Sequence, residues 1–150
     1  MRLRIFLAAA LVAVVGSLAF ATAAGATGST RILATVLTGA NEIGPEGPGA
    51  GDLDGIGVAV ITLNTSTDTV CWLIAVREIE LPATAAHIHV APAGENGPVV
   101  VPLSAPNARG ISFGCVGSPH TDAIAADPAA YYVNVHNGPF PAGALRGQLG

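Results

Sequence analysis

The stretch from Gly55 to Glu78, GIGVAVITLNTSTDTVCWLIAVRE, decides the fold. β-Branched and apolar residues fill both halves, Gly55–Asn64 and Thr69–Glu78, as is typical of β-strands. Between them, the polar segment Thr65–Asp68 is short enough to join two antiparallel neighbours. The stretch therefore predicts a β-hairpin.

Short runs of similar composition recur on both sides of this hairpin, separated by Gly, Pro, Asn and Asp. The segment Asn41–Asp54, rich in Gly, Pro and acidic residues, is predicted to be a mobile surface loop. Only Asp122–Ala126 favours a helix, which Pro128 ends. Eight strands at this spacing predict an all-β fold, an antiparallel β-sandwich or Greek-key barrel with one short helix. The six further strands are predicted at Arg31–Thr38, Ala86–Val90, Val99–Leu103, Gly110–Val116, Tyr131–Asn137 and Ala144–Leu149.

The composition restricts the function classes. The chain has 150 residues, of which 11% are charged, and its six basic residues are all arginine. This length fits one small domain. Nucleic acid is not expected as a partner, because so few basic side chains cannot neutralise many phosphates.

Residues 1–26 resemble a secretory signal peptide. Arg2 and Arg4 give a positive start, Ile5–Val15 is an uninterrupted apolar run, and Ala24-Gly25-Ala26 matches the small-x-small cleavage pattern. An uncleaved membrane anchor is the alternative, although Gly16 interrupts the apolar run early. Cleavage after Ala26 would leave a single domain, residues 27–150, with ten acidic residues, four arginines and a formal charge of −6. We expect a secreted or cell-envelope protein without a membrane span after cleavage.

Two cysteines, Cys71 and Cys115, follow the predicted signal peptide. In an oxidising compartment an even pair favours a disulfide, and buried free thiols are the alternative. A metal site built on cysteine is disfavoured because the sequence has no CxxC spacing.

The histidines carry the main chemical signal. His87 and His89 lie two residues apart in a predicted strand, so their side chains share one face. In the strand that ends at His136, Val133 and Val135 take the apolar face, so His136 lies on the opposite one. If the two strands are close, three imidazoles converge, and imidazole is a ligand for both copper and zinc. His120 is a weaker candidate ligand, and the alternative for all four is a structural role in hydrogen bonding.

Sequence motifs for common enzyme classes are missing. The chain has no Gly-x-Ser-x-Gly elbow, and no phosphate-binding or dinucleotide-binding glycine pattern opens a helix. No residue is therefore assigned a catalytic role, and we expect a protein that is not an enzyme.

Three segments resemble the CHRD domain, the module that is repeated in chordin and found singly in many secreted microbial proteins. They are Leu37–Glu42 (LTGANE), Ala86–Val100 (AHIHVAPAGENGPVV) and Tyr132–Leu149, which contains YVNVH and PAGALRGQL. The resemblance covers residues 31 to 149. It implies an extracellular β domain with an immunoglobulin-like or superoxide-dismutase-like fold, and it supplies no activity.

The order of these motifs is also similar to the layout of copper/zinc superoxide dismutases. By that likeness His87, His89 and His136 would hold copper, and Arg146 would lie beside the metal and guide an anion. The chain differs from those enzymes in two ways: Cys71 and Cys115 lie at other positions than their disulfide cysteines, and the zinc-loop pattern is missing. Without the likeness, Arg146 is expected to pair with a loop carboxylate.

Three hypotheses about function follow. The first is a non-enzymatic extracellular or cell-envelope binding module, whose partner, an extracellular protein or envelope component, would contact the loops around Asn41–Asp54 and Ala91–Pro98. The second is a copper- or zinc-binding protein that uses the three histidines, with dismutase-like redox activity as a weaker extension. The third is a purely structural or adhesive surface domain.

Overall fold

A computed structural model describes residues 29–150. The predicted signal peptide, residues 1–26, lies outside the described residues. A helix α1 (Thr121–Ala126) and two 3-10 turns (Gly39–Asn41 and Pro128–Ala130) accompany the strands. The strands are β1 (Thr30–Thr38), β2 (Ile43–Gly44), β3 (Gly47–Pro48), β4 (Ile56–Asn64), β5 (Thr69–Arg77), β6 (Ala85–Val90), β7 (Val99–Leu103), β8 (Ile111–Gly117), β9 (Tyr131–His136) and β10 (Leu145–Gln148).

Eight of these strands form one antiparallel sheet in the order β7-β6-β9-β10-β1-β4-β5-β8. The two edge strands, β7 and β8, approach each other. The hydroxyl of Ser112 in β8 donates a hydrogen bond to the carbonyl of Ser104, just after β7. The sheet is thus nearly closed, which confirms the predicted all-β class and the eight-stranded barrel or sandwich. The helix is also confirmed, one residue longer than predicted.

The core fills the inside of this sheet. In β4, Ala59, Ile61 and Leu63 are buried and alternate with outward residues, as the period of two in a strand requires. In β5, Val70 and Trp72 point inward in the same way. Apolar side chains, among them Val58, Val60 and Leu73, also occupy most of the outward positions of these strands.

A disulfide joins β5 to β8. Cys71 and Cys115 are directly opposite each other in the strand register and are bonded, which confirms the predicted pair. Both lie on the outward side of the sheet, since the neighbouring Trp72 points into the core and donates its indole N–H to Ser112.

The segment predicted as a surface loop, Asn41–Asp54, contains local structure. The short hairpin of β2 and β3 lies within it, and Glu42 is buried, with 4% of its surface exposed. The carbonyl of Glu42 accepts hydrogen bonds from the backbone N–H groups of Gly49 and Ala50, which fold the segment back on itself. The prediction missed this structure because a run of Gly, Pro and acidic residues has no hydrophobic period to indicate it.

Candidate metal centre

Three neighbouring strands, β6, β9 and β10, bring the predicted site residues to one outward face. In the register of the sheet His87 is opposite Asn134, and His89 is opposite Tyr132. Asn134 is in turn opposite Arg146 on the other side of β9. Because alternate residues share a face, His136 joins this group two positions after Asn134.

The three imidazoles converge. The Nδ1 atom of His87 lies 3.3 Å from Nε2 of His136, and one ring nitrogen from each of His87, His89 and His136 can be chosen so that all lie within 4.8 Å of one another. All three side chains are partly buried. The arrangement predicted from the spacing of the histidines is therefore present in the fold.

Backbone carbonyls fix the orientation of two of the rings. The Nδ1 atom of His89 lies 2.8 Å from the carbonyl oxygen of Gly97, and Nδ1 of His136 lies 3.0 Å from that of Pro141. A carbonyl only accepts, so each Nδ1 carries the proton, and Nε2 is the lone-pair nitrogen of the neutral ring. In His136 that Nε2 faces Nδ1 of His87. Histidines that bind a metal usually donate their other ring N–H to a carbonyl or carboxylate in this way.

Burial favours the neutral form of two of the rings, His87 and His136. Burial lowers the pKa of His87, and the charges of His136 and His89 lower it further. Burial also lowers the pKa of His136, against the opposing effect of its hydrogen bond to Pro141. Neutral imidazole is the form that binds a metal ion, so few protons compete for these nitrogens at neutral pH.

The donor set fits copper or zinc. In a tetrahedral site with metal–nitrogen bonds of 2.0–2.1 Å, two ligand nitrogens are about 3.3 Å apart. The separation between the nearest ring nitrogens of His87 and His136 equals that distance. His89 would complete the set through Nε2, which faces Oδ1 of Asn134 at 3.1 Å. Because that oxygen only accepts, the Asn134 side chain must turn for Nε2 to offer its lone pair to a metal. Three imidazoles are a donor set that suits either ion.

Two further residues support this face: Asn134, which alternation in the sequence already places beside His136, and Tyr132. The ring of Tyr132 stacks on His89 with 4.8 Å between the centroids, and its hydroxyl accepts from the N–H of Gly97. Asn134 faces His89 from the centre of β9. Period-two alternation with His136 was the signal that could have identified Tyr132 as well.

Arg146 lies behind the histidines rather than among them. Its guanidinium stacks on Tyr132, 3.4 Å from the ring centroid, and only 2% of the residue is exposed. It donates to the carbonyls of Glu95 and Pro92 and to the amide oxygen of Asn96. In this structure Arg146 therefore holds the segment 91–98 in place, and its anion-guiding role stays a prediction.

His120 is not part of the group. It lies next to the start of α1, where its backbone N–H donates to Ser118. The structure thus brings together three of the four candidate ligands.

The two loops expected to contact a partner do meet. The amide of Asn96 donates to the carbonyl of Ile43, so the segments Asn41–Asp54 and Ala91–Pro98 touch. A cleft of about 220 Å³ opens beside this contact, and its lining includes Ala93 and Arg146.

The fold and the site define a small, disulfide-bonded, all-β domain with a cluster of histidines on one face. A comparison with protein-family models matches residues 33–149 to the CHRD domain, so the chain belongs to the CHRD family. This confirms the family predicted from the three motifs. Comparisons with curated proteins and with solved structures found no match. CHRD domains are extracellular, and a disulfide is typical of an oxidising compartment, in agreement with the predicted location outside the cytoplasm. No helix in the described part of the chain has the length and hydropathy needed to span a bilayer.

Proposed function

We propose that the protein is exported by its N-terminal signal peptide and acts as a non-enzymatic binding module, whose ligand is one copper or zinc ion. Family membership supports the binding module. The observation that carries the choice of ligand is the convergence of His87, His89 and His136, whose ring nitrogens lie within 4.8 Å of one another.

The chain's own residues would do three things for such an ion. The carbonyls of Gly97 and Pro141 hold two rings so that Nε2 faces the centre of the cluster. The lowered pKa of His87 and of His136 keeps those imidazoles unprotonated. The stacked Tyr132 covers one side of His89 and keeps that ring in place. A bound copper ion would supply the redox couple that a dismutase-like activity needs, and a superoxide assay on copper-loaded protein tests that extension.

The test is a calorimetric titration with Zn²⁺ and with Cu²⁺ of exported, untagged protein that has been treated with a chelator and dialysed. We expect one ion per chain. His87→Ala/His89→Ala should lose at least about 100-fold in affinity, because metal-site substitutions commonly cost 10- to 100-fold each. His120→Ala is the matched control, since it removes an imidazole outside the cluster, and it should bind like the wild type. Failure of both ions to bind, or equal loss in the control variant, would contradict the proposal.

A second candidate function is favoured by the contact between the two loops. Asn96 joins them, and the cleft beside that contact could seat a side chain of an extracellular protein or of an envelope component. Ala93→Trp would fill the cleft from an exposed position. We expect it to reduce retention of the protein on washed envelopes of its host, whereas the histidine variant should not. Equal retention of Ala93→Trp and wild type would exclude the cleft, and a purely structural or adhesive role would then be favoured.

A further inference from the structure

The outward face of β1, β4, β5 and β8 is apolar and exposed. Phe113 is 74% exposed, Ile32 68%, Val36 53%, Leu73 50% and Val58 49%. Single exposed apolar side chains are ordinary, whereas a contiguous set marks an interaction surface.

The strand register makes this set continuous, because outward residues on the four strands stand side by side in rows. Leu73 is opposite both Val60 and Phe113, and Val58 is opposite both Val36 and Ala75. The full rows across the sheet are Val36-Val58-Ala75-Ile111, Ala34-Val60-Leu73-Phe113 and Ile32-Thr62-Cys71-Cys115. The disulfide in the third row holds β5 to β8, so the face is already ordered before any partner arrives.

Charge is nearly missing from this face. The three rows contain no charged residue. The adjacent outward pair, Ile56 and Arg77, adds one, the arginine at the end of β5. The ten acidic residues of the chain occupy none of these positions, and residues 27–150 carry a formal charge of −6. An anionic membrane would repel such a domain, and a strongly charged protein would find nothing to pair with. The face is best matched by another uncharged face.

The area suits a weak, specific contact. Four strands spaced by about 4.8 Å and about seven residues long at about 3.3 Å each cover about 19 Å by 23 Å, or about 440 Å² in projection. Two such faces would bury about 900 Å² in projection, which does not count the extra area of protruding side chains. This is near the lower limit of about 1,000 Å² for a biological interface.

The face carries both grooves and protruding side chains. Its small residues leave two shallow grooves, one of about 400 Å³ beside Ala34 and one of about 270 Å³ beside Ala75, with Val58 between them. The most exposed side chains, Ile32 and Phe113, protrude from the same face. A second copy turned by a two-fold axis would present the same protrusions to the same grooves.

We propose that this face, the outward side of β1, β4, β5 and β8, is the interface of a symmetric homodimer. Two copies pack sheet against sheet with about 10 Å between them, the ordinary spacing of stacked sheets. The histidine cluster lies on other strands, β6 and β9, so it stays open to solvent in the dimer. The proposal does not depend on metal binding.

The experiment is sedimentation velocity on the exported protein, from about 1 to 300 μM, with dissociation expected in the micromolar range for a contact of this size. Leu73→Glu/Phe113→Glu places four carboxylates in the two-fold interface and should weaken the dimer at least about 100-fold. Both positions are exposed, so the core is not altered. Leu53→Glu is the matched control, because Leu53 is 69% exposed but lies in the loop before β4.

Each outcome decides the proposal. A wild-type dimer that the double variant abolishes and the control retains supports it. A wild-type protein that is monomeric at 300 μM overturns it, because that concentration is about a hundred times the micromolar dissociation constant expected of such a contact. Binding of that monomer to neutral lipid vesicles would not rescue the proposal. A dimer that survives the double variant also overturns it, because the interface then lies elsewhere.

Discussion

Glu42 should make the protein less stable as the pH rises. Only 4% of its surface is exposed, and its Oε1 atom is buried without a hydrogen-bond partner among the described residues. Burial raises the pKa of this carboxyl from 4.5 to about 7, against the opposing charge of Arg146. The folded state therefore binds this proton more tightly than the unfolded state.

The sign and the size follow from that difference. Below pH 4.5 the carboxyl is protonated in both the folded and the unfolded state, so it does not lower the free energy of unfolding. Between pH 4.5 and 7 the carboxyl ionises in the unfolded state but not yet in the folded one, so the free energy of unfolding falls as the pH rises. A rise of the pKa from 4.5 to about 7 corresponds to about 3 kcal/mol, fully lost above pH 7. Glu42→Gln keeps the shape of the protonated group and does not titrate, so it should be near neutral at pH 4 and stabilising by up to about 3 kcal/mol at pH 8.

The assay is urea unfolding at pH 4, 6 and 8, followed by fluorescence of Trp72, the chain's one tryptophan. The quantity of interest is the unfolding free energy of Glu42→Gln minus that of the wild type, because other titrating groups cancel in it. Glu46→Gln is the control, since Glu46 is an exposed carboxylate in the same hairpin. A difference for Glu42→Gln that stays constant from pH 4 to pH 8 would refute the reasoning.

Arg146, the disulfide and the histidine cluster each give a test of their own. Arg146→Ala removes a buried guanidinium that holds loop carbonyls, so it should lower the unfolding free energy by about 2–4 kcal/mol and speed hydrogen exchange in residues 91–98; unchanged exchange there would contradict the role assigned to it. Replacing Cys71 and Cys115 together by Ala opens a loop whose ends are 44 residues apart, and urea unfolding should show a loss of about 2–4 kcal/mol, near the chain-entropy value of about 4 kcal/mol; a change below about 0.5 kcal/mol would count against it. Zinc affinity should stay constant from pH 8 down to about 6.5 and fall only below it, because the pKa of His87 and of His136 is lowered from the ordinary 6.5; a tenfold fall already between pH 8 and pH 7 would show that protons compete more strongly than these positions imply.

Much of the fold could be predicted because its signals are local. Two β-branched runs and a four-residue polar link predict the hairpin of β4 and β5. The bounds of both strands lie within one residue of the predicted ones. The shared face of His87 and His89 needs only the period of two in a strand. These features depend on neighbours in sequence.

The convergence with His136 depended on long-range pairing. His87 and His136 are 49 residues apart and meet because β6 pairs with β9. No local pattern fixes which strands pair, so spacing alone left the metal site as one of two interpretations. The family resemblance placed the motifs in order but supplied no geometry.

Two features had no usable signal. A buried glutamate such as Glu42 looks the same in sequence as an exposed one, because burial of a carboxyl follows from tertiary packing. In the sequence, Val58, Val60 and Leu73 continue an apolar run, which is also the pattern of a strand buried on both faces. Only the structure shows that those side chains point outward.

The most direct test of the metal-binding account is anomalous diffraction from crystals of the exported protein soaked in zinc or copper, recorded at the absorption edge of the metal. The account predicts one strong peak about 2.0–2.1 Å from a ring nitrogen of each of His87, His89 and His136. A peak at His120 instead, or no peak at the cluster under saturating metal, would contradict it.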